Sequence, residues 1–130
     1  MQAASSSPLF GIWAYLTSPQ FVPIAGAWGA VPVHTMEAYS QIPAPRAMTA
    51  SLLTISLDAA PGSGNSLTFI LRDNGSNTSL GCVIAGASAI ACQDTTDTPS
   101  IANQDLLAIE VTTTGSGIGT SYFRTSFLLQ

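Results

Sequence analysis

Apolar positions along much of the chain recur at every second residue. In the stretch from Met48 to Leu57, MTASLLTISL, they put Leu53, Ile55 and Leu57 on one side. From Ser66 to Arg72, Leu67, Phe69 and Leu71 alternate with Thr68, Ile70 and Arg72. Near the C-terminus Phe123, Thr125 and Phe127 alternate with Tyr122, Arg124 and Ser126. A period of two is the mark of a half-buried strand. Further strands are predicted at Phe10–Leu16, Pro32–Ile42, SLGCVIAG, SAIACQD and Leu106–Thr114. Turn chemistry separates them. Pro61-Gly62 favours a type II turn, with Pro fixing φ and Gly taking the positive φ that follows, and Asn74-Gly75 marks a tight reversal. No stretch carries an apolar i, i+3, i+4 stripe with caps. The pattern predicts an all-β fold, an antiparallel β-sandwich of about eight strands that favours a jelly roll.

The N-terminal third breaks this regularity. It holds six of the eight prolines and both tryptophans. Pro has no N–H to give a central ladder, so TSPQFVPIAGAWGAVP is expected at an edge, in a loop or as an extended arm. The expected division is an apolar arm and first strand over 1–33 and the sandwich over 34–130, within a single domain. Phe10, Trp13, Tyr15, Phe21 and Trp28 are the candidate interface anchors, because apolar side chains on an irregular arm need a surface to pack on.

Composition narrows the partners. Only 8% of the 130 residues are charged, against about 25% in an ordinary domain. Lysine is absent, and Arg46, Arg72 and Arg124 are the only basic residues. A free monomer usually keeps soluble with a mixed charged surface, so much of this surface is expected to be covered by copies of the chain or by a partner. Three scattered arginines make no phosphate-binding patch, so no nucleic-acid partner is expected. No apolar run approaches the roughly 18 residues of a membrane helix. The first twenty residues lack the basic start of a secretory signal.

Candidate chemistry is sparse, and neither catalytic residues nor a cofactor is expected. APGSGNS follows a strand, as phosphate cradles do, but neither a Gly-Lys-Ser/Thr run nor a helix comes after it, which leaves a turn. His34 stands without a nucleophile elbow and is expected on a strand. Asp94, Asp97 and Asp105 lie in a polar loop with oxygen ligands to offer a cation, yet without EF-hand spacing; turn roles are expected and no metal. Glu37, Asp58, Asp73 and Glu110 are not paired by spacing for glycoside cleavage. Asn74 and Asn77 head two glycosylation-type triplets that also read as turns. Cys82 and Cys92 can face each other across a hairpin centred near Ala87 or remain buried thiols, and folding in a reducing cytoplasm favours the thiols.

The stretches QIPAPRAMTASLLTISLDAAPGSGNSLTFILRDNG, CQDTTDTPSIANQDLLAIEVTTTGSG and SYFRTSFLLQ, within about Ala38–Gln130, resemble in order and spacing a module of small jelly-roll virion proteins of tailed bacteriophages. These are turn and strand motifs, more specific to a fold than to a function. One departure is Asn103-Gln104-Asp105, where a Gly is expected before the Asp. The resemblance implies a TNF-like sandwich that assembles as a homo-oligomer, dimer or trimer. It implies a structural virion protein, made in the host cytoplasm and placed on the capsid surface. The expected role is a capsid decoration (cement) protein that bridges subunits of the major capsid protein. The alternative is a tail-fibre or head-fibre module that recognises a host surface glycan.

Overall fold

The structure, a computed structural model, describes residues 5–14, 20–22, 36–118 and 121–130, with side chains at 21, 36–118 and 123–130. The strands are β1 (Ser5–Ala14), β2 (Gln20–Val22), β3 (Ile42–Pro43), β4 (Met48–Leu57), β5 (Gly62–Asp73), β6 (Ser76–Gly86), β7 (Ala91–Gln93), β8 (Ser100–Ile101), β9 (Leu106–Thr114) and β10 (Ser121–Leu129). One sheet runs β1-β10-β4-β7, with β8 beside β7 on the same edge of β4. The other runs β2-β9-β5-β6, with β3 beside β2 on the edge of β9. Each sheet thus has four strand positions.

The pairings are nested. β1 pairs with β10, β2 and β3 with β9, β4 with β7 and β8, and β5 with β6, all antiparallel. The chain is one long hairpin, rolled up so that its successive pairs alternate between two sheets. That is a jelly roll. Its innermost reversal is Asn74-Gly75, where both residues take the positive φ that a tight two-residue turn requires (49° and 81°). The N-terminal third supplies a strand position to each sheet.

The expected alternation is what fills the core. Leu53, Ile55 and Leu57 from β4, Leu67, Phe69 and Leu71 from β5, and Phe123 and Phe127 from β10 are all buried between the sheets. Phe69 and Phe123 meet edge to face across the layers, ring centroids 5.3 Å apart. Thr125 shares this face, and its buried hydroxyl has no hydrogen-bond partner among the described residues. Ala50 and Leu53 both point inward although three residues apart. A bulge reconciles them, because the register against β10 slips between Ser126 and Leu128. Leu52 occupies the bulge with φ +56° and an exposed side chain.

Two expectations need correction. The strand predicted over Pro32–Ile42 is absent over its described part. Glu37–Tyr39 form a single 3-10 turn, closed by the Ser40 N–H on the Glu37 carbonyl, and a strand begins only at Ile42–Pro43. This stretch lacks the alternation that would bury one face, and its side chains are used elsewhere. The cysteines are not free thiols but a disulfide between Cys82 and Cys92, Cα atoms 5.9 Å apart. No hairpin joins them. Cys82 sits opposite Phe69 in β6 and Cys92 opposite Ile55 in β7, so both face inward from different sheets. The bond ties the two layers together where β6 crosses over to β7.

Candidate functional site

One group of hydrogen-bonded polar side chains gathers at the β5–β6 tip. Arg72 points outward from β5, opposite Ala108 and Asn77. Its guanidinium grips Glu37 with two hydrogen bonds, Nε to Oε1 at 3.2 Å and Nη2 to Oε2 at 3.1 Å. Glu110 lies 3.8 Å away on the next strand. The same group donates to the Gly75 carbonyl and to Asn77 Oδ1, and it stands over the Phe21 ring at 5.8 Å from its centroid. A planar fork of five donors suits such a hub in a way that an ammonium does not. The hydrogen bond it donates to Glu37 is the main cause that keeps the guanidinium above its ordinary pKa. Phe21 is buried here, opposite Glu110 on the outer face of the sheet rather than between the sheets, and its carbonyl accepts from Ser40 Oγ at 3.1 Å.

Asn74 fastens the tip to the segment that leads into β9. The backbone N–H of Asn74 donates to the Leu106 carbonyl at 2.9 Å, and Asn74 Oδ1 accepts from the Leu106 N–H at 2.9 Å. Asn74 Nδ2 donates to Asp105 Oδ1 at 2.7 Å, while Asp105 Oδ2 accepts from the Ala102 N–H at 2.7 Å. These bonds, Ala102 first and then Asn74, hold the Asp105 carboxyl below its ordinary pKa. Asp73, facing the same loop, is pushed the other way by burial and then by the charge of Asp105. One of its oxygens is buried without a partner among the described residues. Gln104 takes φ +70°, the left-handed conformation at the position where a Gly was expected. An open cleft of about 560 Å³ lies alongside, lined by Pro43, Ala44, Pro45, Asn103, Gln104 and Leu106.

The loop once weighed as a phosphate cradle is fastened in a similar way. Gly62 takes φ +104°, as the Pro-Gly turn requires. Asn65 Nδ2 then donates to the Pro61 carbonyl at 3.0 Å, and Oδ1 accepts from the Ser116 N–H at 3.0 Å. One amide joins two Gly-rich loops, and a Cβ added at Gly115 would collide with it.

The expected candidates scatter. Asp94 is buried, and its oxygens accept from the N–H groups of Thr96, Asp97 and Gly81 and from the Thr96 hydroxyl. Burial works against its charge, but those bonds hold the carboxyl down to about 2. Its oxygens therefore serve to fold the loop and dock it on β6. Asp94, Asp97 and Asp105 are not gathered, and among the described residues no three His, Cys, Asp or Glu side chains come together as metal ligands. Of the four scattered carboxylates, Glu37 and Glu110 meet over Arg72, while Asp73 meets Asp105 instead. Phe10 and Trp13 lie on β1, Phe10 in a register shift between Leu9 and Ile12, and Trp13 opposite Tyr122. Tyr15, Trp28 and His34 lie outside the described residues. Sequence reasoning missed the junction itself. Arg72 and Glu37 are 35 residues apart and Asn74 and Asp105 are 31 apart, and only the Asn-Gly pair signalled a turn there. No family model matches the chain, and no curated protein or solved structure matches it.

Proposed function

We propose that the chain is a structural virion protein of a tailed phage, a capsid decoration protein that binds the assembled shell and bridges its subunits. One observation carries this reading. The few ionisable groups at Arg72, Glu37, Glu110, Asp94 and Asp105 are spent on joining the chain's own strands and loops. Meanwhile Met36, Leu52, Val83, Ile90 and Leu106 stay exposed. A surface short of free charge and supplied with apolar side chains is suited to contact with other chains rather than to chemistry. The jelly roll and the resemblance of its turns and strands support the same reading. The mechanism is mass action: a protein that binds only the assembled shell stabilises that shell.

The test adds the full chain to expanded shells that lack it. Saturable binding and a higher disruption temperature are the expected results, and shells that stay bare at high protein concentration overturn the proposal. Truncating the first 30 residues is a poor test, because it removes β1 and β2 from the two sheets. Binding to a glycan array without shell occupancy would favour the fibre-module alternative.

A further inference from the structure

We propose that Asn74 is a latent deamidation site, held closed by Asp105 and the Leu106 N–H, and that its conversion to aspartate unlatches the β5–β6 tip irreversibly. Asparagine followed by glycine is the pair most prone to this reaction, because glycine leaves the attacking nitrogen unshielded. The Gly75 backbone nitrogen attacks Cγ of Asn74, and an N–Cγ bond forms. The Cγ–Nδ2 bond breaks, and ammonia leaves with the proton from the Gly75 nitrogen. Water then opens the succinimide to aspartate or isoaspartate. Asn74 and Gly75 are both exposed, so water has access.

The folded tip opposes the first step. Closure requires the Asn74 side chain to swing onto the following peptide. Here both ends of its amide are engaged, Nδ2 on Asp105 at 2.7 Å and Oδ1 on the Leu106 N–H at 2.9 Å. The backbone is fixed as well, by the left-handed turn and by the Asn74 N–H on the Leu106 carbonyl at 2.9 Å. Reaction therefore needs the tip to lift off the 102–106 loop. The product does not reseat. A carboxylate at position 74 has no N–H to give Asp105, and it places a third acid beside Asp73 and Asp105. Each opening is thus a chance of a one-way loss of the latch.

The experiment incubates the full-length protein in mildly alkaline buffer and follows Asn74 by mass spectrometry of the peptide that begins after Arg72. Native wild type is expected to convert far more slowly than the same chain in denaturant. Asp105→Ala, which removes the acceptor for Nδ2, is expected to speed conversion about tenfold or more, the effect of one lost charge-assisted hydrogen bond on an opening equilibrium. Asp105→Asn keeps a carbonyl acceptor and should fall between the two, and it serves as the test if the alanine variant does not fold. Asn74→Asp should show faster hydrogen exchange at the Leu106 amide than wild type. Native conversion as fast as in denaturant, or folded Asp105 variants no faster than wild type, overturns the closed-site half. Unchanged exchange at Leu106 in Asn74→Asp overturns the unlatching half.

Discussion

The interior of the sandwich and the junction at its β5–β6 tip are made of opposite materials. Between the sheets, apolar side chains from β4, β5, β6, β9 and β10 touch one another, and no ion pair among the described residues intrudes. At the tip, Arg72, Glu37, Glu110, Asn74 and Asp105 fix segments that have little regular pairing of their own. The core supplies stability through buried area, which does not depend on exact partners. The junction supplies position, because each of its bonds is directional and names a particular residue. The chain has few charges, and it concentrates them where β-ladders cannot hold the structure.

The core should therefore be the costlier place to damage. Phe69→Ala removes a ring that is fully buried and stacked edge to face on Phe123. A loss of about 3–5 kcal/mol is expected in urea unfolding. A loss under about 1 kcal/mol would mean that the layers do not pack as described here. At the junction, Arg72→Ala leaves Glu37 and Glu110 facing each other across a partly buried gap. That should cost about 2–3 kcal/mol, less than a buried pair because the site is partly open to water. Arg72→Lys keeps the charge but not the fork, so it should recover only part of the loss. Full recovery by lysine would reduce the junction to simple charge neutralisation.

Acid should probe the polar anchors, at the tip and in the Asp94 loop, without mutation. Asp94 has its folded pKa at about 2, below the ordinary 3.8. Its stabilisation is therefore complete above the ordinary value and is lost as pH falls through 3.8 toward 2. The amount is about 2 kcal/mol. Asp94→Asn should flatten that acid limb. Asp73 runs the opposite way. Its raised pKa makes the folded state lose stability as pH rises through the carboxylate range, and Asp73→Asn should remove that loss. If wild type and Asp94→Asn lose stability in parallel between pH 5 and 2, Asp94 is not the clamp described above.

The same contrast explains what the sequence could and could not reveal. Strands β4, β5 and β10 were readable because alternation is local and one face is apolar. So were the Pro61-Gly62 and Asn74-Gly75 turns, whose φ requirements are written in two adjacent residues. Strand number and turn spacing favoured a jelly roll, but which strands pair with which appeared only in the structure. The junction was not readable, since Arg72 on an outward position looks like any solvated strand residue until Glu37 is brought to it from 35 residues away. The disulfide was disfavoured because folding in a reducing cytoplasm points to thiols. The hairpin that could have paired the cysteines is in the structure a crossing between the two sheets.

Gln104 sits on the border between these two kinds of information. The turn before Asp105 calls for glycine, and the structure keeps that turn while placing glutamine in it at φ +70°. A left-handed conformation costs a residue with a Cβ about 1 kcal/mol or more. The Asp105 N–H on the Ala102 carbonyl at 3.2 Å and the Gln104 N–H on the Ala44 carbonyl at 2.8 Å hold the turn in place regardless. Gln104→Gly should therefore stabilise the fold, by about 0.5 kcal/mol once the extra freedom of glycine in the unfolded chain is counted. The effect should appear as a higher urea midpoint with an unchanged slope. It should also tighten the Asn74 latch, because a relaxed turn presents Asp105 and the Leu106 N–H more steadily. A lower midpoint would mean that the glutamine side chain, on the wall of the Pro43–Leu106 cleft, contributes contacts worth more than the strain it imposes.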